Sequence, residues 1–512
     1  MFPLRIAALV ILASGLVFAG PDEPKKPVPK FKIGKETTFV DGPLDADGYI
    51  DYEAALNTLL KGTITPDTNA VVLLLKCFGP KPEGKELHPD FYKALGVAAP
   101  PETGEYLVSD HEFFREEIRG DAAAFFELDS RLRKQPWKLA DSPKHAKWLE
   151  RNEKPLALAV EASKRKDYHL PMIARDKNDK RGALLGARIV CAQGCRHLAS
   201  MLLTRVMLNL GDGKTENAFA EVQAIHRLGR LVTRGGFLVE YLVGIALQVM
   251  AHDAELSIFK YGAPTAAQAL AHQAELFKLP PTPSVAEKLK FERFICLDAV
   301  QTSLREGFDI LSFQKVDKAQ GEAMAKNLDG DAILRVSNSW YDRLESASSK
   351  PTRLERVAAG VGIAKDLKAL DPDPDEQPSV HDLLDKAKVD KHSENASEKI
   401  GHAYVKLFIP AVQKVTDSAD RAEQVHRNGI VATGLAAHFA DTGKYPEALA
   451  DLVPKYLAKV PSDAFNEKSL TYRKTDTGYL FYSVGINGVD DGGKLVTDEP
   501  RGDDVGVRMP GK

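Results

Sequence analysis

The sequence predicts a mainly α-helical protein: a helical-hairpin, solenoid-like body followed by a small C-terminal α+β region. Three observations predict it. Between residues 143 and 370, apolar residues recur every three or four positions, and Gly or Pro breaks the pattern at intervals. Asp371–Ser379 is then acidic and Pro-rich, the composition of a boundary. After Gly443 the period changes. SLTYRK and GYLFYSVG alternate as two short strands around a turn at Thr475–Gly478.

The composition fits such a protein. The chain has 512 residues, 44% hydrophobic and 28% charged, which excludes a disordered chain, a collagen-like fibre and a small disulfide scaffold. Lys plus Arg is 69 against 72 for Asp plus Glu, a net charge of −3. A nucleic-acid binder working by bulk charge would be basic, so no nucleic acid is expected as a partner.

Met1–Ala19 reads as a signal peptide. Arg5 is its only charge, Ile6–Phe18 is apolar, and Val17 and Ala19 supply small residues before a cleavage site. The apolar run is short against the span of about 20 residues that a bilayer needs. An exported protein, periplasmic or extracellular, is therefore expected, with residues 20–36 as a linker. Phe237–Ala251 is the most apolar later stretch. It carries Glu240 and reads as a buried core helix, so no transmembrane span is expected after signal cleavage.

Residues 37–142 form a mostly helical N-terminal region, with helices expected at Asp51–Lys61, Asp67–Phe78 and Asp110–Leu132 and a loop at Glu83–Gly104. Residues 143–370 form the helical-hairpin domain. Its helices are expected at Leu184–Leu210, at 217–232 with Ala218, Val222, Ile225, Leu228 and Val232 on one face, and at Phe237–Tyr261, Thr265–Phe277 and Glu287–Leu304. Long helices joined by short turns make hairpins, and stacked hairpins make a solenoid-like body. Residues 217–232 are TPR-like, without a strict period of about 34 residues. Residues 371–380 are the linker. Residues 381–512 carry a long helix, Glu398–Ala440 with a break at Pro410, and a small antiparallel β domain.

Several motifs fail on inspection. Gly213-Lys214-Thr215 mimics the end of a phosphate-binding loop, but Leu208 stands where the first Gly is needed. Asp45–Asp51 mimics part of an EF-hand loop. Aligned on Gly48, its first and twelfth positions are Pro43 and Ala54, so a turn and helix cap is the reading. Cys191 and Cys195 share a helix face but lack further zinc ligands. With Cys77 and Cys296 they read as buried thiols, a Cys77–Cys296 bridge remaining open. His252-Asp253 reads as a helix-surface pair, and His226 and His197 as packing residues. There is no H-E-x-x-H and no G-x-S-x-G.

The C-terminal region carries one resemblance. Gly443, Tyr445, Pro446, Leu449, Pro461, Asp463, Tyr472, Gly478, Tyr479, Tyr482, Ser483, Gly485, Gly488 and the Asp- and Gly-rich tail stand in an order that resembles the C-terminal domain of type II secretion major pseudopilins. Two departures are visible. A conventional signal and a long body precede this region, and Asp463-Ala464 replaces the family's Asp-Pro. The whole chain looks like a type of large exported bacterial protein with such a tail. The resemblance implies a pseudopilin-like fold and Ca2+ in the acidic loop, with Asn487, Asp490, Asp491, Asp503 and Asp504 as ligands; Asn487 stands where the family usually has Asp. The composition of 487–504 is compatible: six acids face two bases, and glycines allow tight turns. The competing reading is a solvated loop held by hydrogen bonds and by Arg501 or Arg508.

With no assembled catalytic set, the leading expectation is an exported non-enzymatic envelope protein. It would act as a binding or scaffolding module through its helical body on a protein partner in the cell envelope. One alternative is a soluble accessory of a type II secretion-like system. Another is an exported hydrolase, which requires residues such as His226, His252 and Asp253 to converge in a pocket.

Overall fold

The computed structural model describes residues 29–118, 120–175, 183–306, 328–370 and 394–510. The signal peptide at 1–19, most of the 20–36 linker and the acidic linker at 371–380 lie outside the described residues. The protein is mainly helical with one small sheet. The helices are α1 Tyr52–Lys61, α2 Ala70–Phe78, α3 Pro89–Leu95, α4 Asp110–Phe113, α5 Ala122–Leu132, α6 Pro143–Arg151, α7 Glu153–Ser163 and α8 Ala192–Gly211. They continue with α9 Thr215–Val232, α10 Leu238–Tyr261, α11 Ala266–Lys278, α12 Val285–Glu306, α13 Gly330–Ser348, α14 Arg353–Ala369, α15 Glu394–Phe408 and α16 Pro410–Thr442. Strands β1 Thr471–Lys474, β2 Tyr479–Ser483 and β3 Val505–Met509 form an antiparallel sheet in that order.

Local chemistry explains many of the boundaries. Asp51, Asn69 and Asp121 each accept a hydrogen bond from the first turn of their helix. Thr265 with Gln268, and Thr352 with Glu355, form capping boxes. Gly443 ends α16 in the left-handed region. The Gly213 turn joins α8 to α9, and Asp45 and Asp47 pair with Arg305.

Three expected boundaries differ. The loop expected at 83–104 contains α3, started by Pro89 and closed by Gly96, because Phe91, Tyr92 and Leu95 bury one face. The helix expected over 110–132 divides into α4, a π turn at Phe114–Ile118 and α5. The helix expected from Leu184 begins at Ala192. Residues 183–191 hold one 3-10 turn at Leu184–Gly186 and are otherwise irregular, burying Ala183, Leu184, Ala187, Val190 and Cys191, and Asp298 accepts from Leu184 N–H at 2.7 Å.

Three cores result. The first joins α2, α3, α5 and α7 to α8, α9 and α10. The second joins α1, α12, α13, α15 and the start of α16. The third places the end of α16 against Ala269 of α11 and against Tyr479, Phe481 and Val507 of the sheet. Helix α16 thus links the second core to the third and packs on α10 and α11. Helix α10 is long and apolar enough to cross a membrane by length and composition, but it packs between α8, α9 and α16. All four cysteines are free and buried. Cys77 lies in the first core and Cys296 in the second, so the bridge left open by the sequence is not formed.

Candidate functional site

An apolar groove runs between α13, α14 and α16. It encloses about 480 Å³, with Leu344 and Ala347, Val357 and Val361, and Ile409 and Val412 on its walls. Helix α14 is covered on one side only. Ile363 is buried, while Leu354, Val357 and Val361 are 52%, 48% and 63% exposed. These three residues follow i, i+3, i+7 spacing, one stripe of a helix. Arg353, Arg356 and Asp420 form a charged end, where Asp420 bridges the two guanidiniums.

A second feature lies in the interior. Glu255 and His252 stand three residues apart on α10, with His226 on α9 and His272 on α11. All four are buried. Glu255 Oε1 is 2.6 Å from His226 Nε2 and 2.8 Å from His272 Nε2, and its Oε2 is 3.2 Å from His252 Nδ1. With a carboxylate as acceptor, those three nitrogens carry the protons. Burial alone would push the Glu255 carboxyl up; the three imidazoles hold it well below the usual range. Burial draws His226 down, with Glu255 opposing. Helix α16 crosses here at Gly429, where a Cβ would lie 3.0 Å from Glu255 Oε2 and 3.2 Å from His252 Nδ1. His426 of α16 completes the wall, its ring pushed down to about 4 by burial, Arg230 and His226.

The hydrolase reading required His226, His252 and Asp253 to converge. The first two do; Asp253 is exposed. His252 is a buried residue and not a surface one, and His197 is exposed and not a packing residue. The cavity between His226, His252, Glu255 and His426 holds about 10 Å³, enough for one water and for no substrate. Sequence reading missed Glu255, His272 and His426. The one available signal was the His252–Glu255 spacing.

A related group sits nearer the N-terminus. His145 is wholly buried, with Nδ1 2.8 Å from Ser142 Oγ and Nε2 3.7 Å from Asp129 Oδ1. Neither of the last two atoms makes a hydrogen bond. Asp129 also pairs with Arg133, which reaches Asp110 at 3.1 Å. Burial pushes Asp129 up to about 6, Arg133 opposing. Burial and Arg133 push His145 down to about 4. The residue types are those of a hydrolytic triad with the ring nitrogens exchanged, since a triad sets Ser on Nε2 and the carboxylate on Nδ1. Phe125, however, stacks on the imidazole at 4.6 Å, and Ser142 and Asp129 are buried with it.

The residues expected to hold Ca2+ share one loop pair. Asp503 Oδ2 accepts from Asn487 N–H at 2.8 Å, and Asp491 Oδ2 accepts from Asp503 N–H at 3.0 Å. Asp504 accepts from Gly493 N–H at 2.8 Å, and Asn487 Oδ1 from Val489 N–H at 2.6 Å. Asp490 turns to Gly492 N–H and the Tyr482 hydroxyl. Arg508 holds Asp498 through two bonds of 2.8 Å. Each of these carboxylates thus has a backbone amide on at least one oxygen, while Asp503 Oδ1 is buried without a hydrogen-bond partner. Among the described residues, no group of three or more His, Cys, Asp or Glu side chains is arranged to hold a metal ion. No family model, curated protein or solved structure matches the chain.

Proposed function

We propose that the chain is an exported, non-enzymatic envelope protein that acts as a binding module, with a solenoid-like helical body and a pseudopilin-like C-terminal domain. The occupant of its groove is an apolar helical segment of a protein partner. The observation that carries this reading is the groove beside α14, where Leu354, Val357 and Val361 leave an apolar helix face in water. A helix that lays its apolar face into a groove reads it through anchors at i, i+3 and i+7, the spacing that α14 itself presents. Apolar exposure bounded by charge is the usual mark of an interaction surface.

The test is a photo-crosslinking amino acid at position 361 of the mature protein in envelope extract. One discrete protein adduct is expected, and Val357→Asp should reduce its yield at least tenfold while leaving the melting temperature unchanged. A diffuse set of adducts that ignores Val357→Asp would reject the groove as the binding surface.

A further inference from the structure

We propose that a second, polar pocket between α9, α10, α14 and α16 binds an oxyanion, a carboxylate or phosphate group, through Arg230. The pocket encloses about 230 Å³, and Arg230, Gln248, Thr282, Ser348, Arg356 and Thr416 are among the residues that line it. Arg230 is 6% exposed. Its Nη1 donates to Thr282 Oγ1, and its Nε is buried without an acceptor. Among the described residues no carboxylate pairs with it, although two acids line the same pocket.

Those two acids are committed elsewhere. Asp420 is shared by Arg353 and Arg356. Glu423 pairs with Arg427 at 2.9 Å, and the neighbouring Asp417 lies 3.4 Å from Arg353. Four guanidiniums therefore meet three carboxylates, and the guanidinium left over is Arg230, which lines the pocket together with the paired Arg356. A buried cation without a direct ion pair is unfavourable, and an anion entering the pocket would reduce that penalty. Burial draws the Arg230 pKa down, with Glu423 opposing. The chemistry of the vacant donors indicates the ligand class. With Nη1 engaged by Thr282, the Nε and Nη2 edge of the guanidinium is a planar two-donor fork, which suits the paired oxygens of a carboxylate or phosphate.

This site does not rest on the groove reading. The two share Ser348, Arg356, Thr416 and Asp420 at their rims, but a small anion needs no protein in the groove. The experiment is a thermal melt and calorimetric titration of the full chain with inorganic phosphate, with acetate, and with chloride at matched ionic strength. A saturable rise in melting temperature is expected with phosphate or acetate and not with chloride, and the stronger of the two assigns the ligand class. Arg230→Met should abolish the rise while melting no lower than the wild type in chloride, because it removes an unpaired charge at similar volume. Arg230→Lys should weaken binding at least tenfold, since it keeps the charge and loses the fork. If neither oxyanion outperforms chloride on the wild-type chain, the proposal is overturned, whether or not the variants fold. It is equally overturned if Arg230→Lys binds as the wild type does.

Discussion

Glu255 and Asp129 are buried to nearly the same extent, 1% and 2% exposed, and both face imidazoles. Their carboxyl pKa values move in opposite directions. Glu255 is held well below the ordinary carboxylate range, whereas Asp129 rises to about 6. Depth therefore does not decide ionisation. The donor count does: three imidazole nitrogens stand within 3.2 Å of Glu255, whereas one oxygen of Asp129 has only His145 Nε2, at 3.7 Å and without a hydrogen bond. Each hydrogen bond to a charged form favours it, while burial penalises it. The Glu255 group is an anion solvated by three imidazoles, and the Asp129 group is a carboxylate that Arg133 only partly offsets, raised by burial beside His145.

The most severe way to break this contrast is Glu255→Ala. It removes the acceptor shared by His226, His252 and His272 and leaves a void where α9, α10, α11 and α16 meet. Deleting one side of a buried charged network typically costs about 3–5 kcal/mol. Denaturant unfolding at pH 7 should show a loss of that size. A loss under about 1 kcal/mol would mean the carboxylate is not the anchor.

The same variant sharpens the contrast through pH. Glu255 has a folded value below its ordinary 4.5, so its contribution is present above pH 4.5 and is lost as pH falls through the folded value. The difference between wild type and Glu255→Ala should not shrink from pH 7 to about 4.5, since Glu255 also supports His226, and should shrink below it, by about 1–2 kcal/mol over the first pH unit or two. A difference that shrinks on going from pH 7 to 5.5 would place the proton on the wrong residue.

Much of the helical fold was legible because N-terminal caps and apolar period agree, as at Asp51 and Thr265, whereas the helix expected from Asp67 starts at Ala70 behind the Asn69 cap. Residues 183–191 were misread because they are apolar without being periodic, and composition alone extends a helix through them. Helix α3 was hidden because Gly and Pro flank a single buried turn and a half. The Glu255 group was nearly invisible. His252 and Glu255 share a helix face in sequence, but His226 and His272 are 29 and 17 residues from Glu255 and meet it only when three helices pack. Arg230 is obscured in the same way. In the last turn of α9 it reads as a basic residue favouring a helix C-terminus, and only the packing of neighbouring elements buries it.

The mildest change, Asp129→Asn, carries the opposite sign. Asp129 rises from its ordinary 3.8 to about 6 in the fold. Between those values the unfolded chain ionises and the folded chain does not, so stability falls as pH rises, and the full penalty stands above pH 6. Asparagine resembles the protonated acid, and its amide can donate toward His145 Nε2, whose Nδ1 faces Ser142 Oγ at 2.8 Å. The variant should therefore be more stable than the wild type at pH 7.5, by about 1 kcal/mol once the lost charge on the Arg133 contact is allowed for. The gain should vanish as pH falls toward 3.8. His145 moves the other way: its value drops from 6.5 to about 4, so its contribution is lost as pH falls from 6.5 to 4. In the wild type the two slopes oppose, because folding transfers one proton from histidine to aspartate. In Asp129→Asn only the histidine slope remains, and stability between pH 6.5 and 4 should fall more steeply with acid than in the wild type. A variant that is less stable at pH 7.5 and parallel to the wild type in pH would show that burial does not raise Asp129, and that the two buried groups are alike after all.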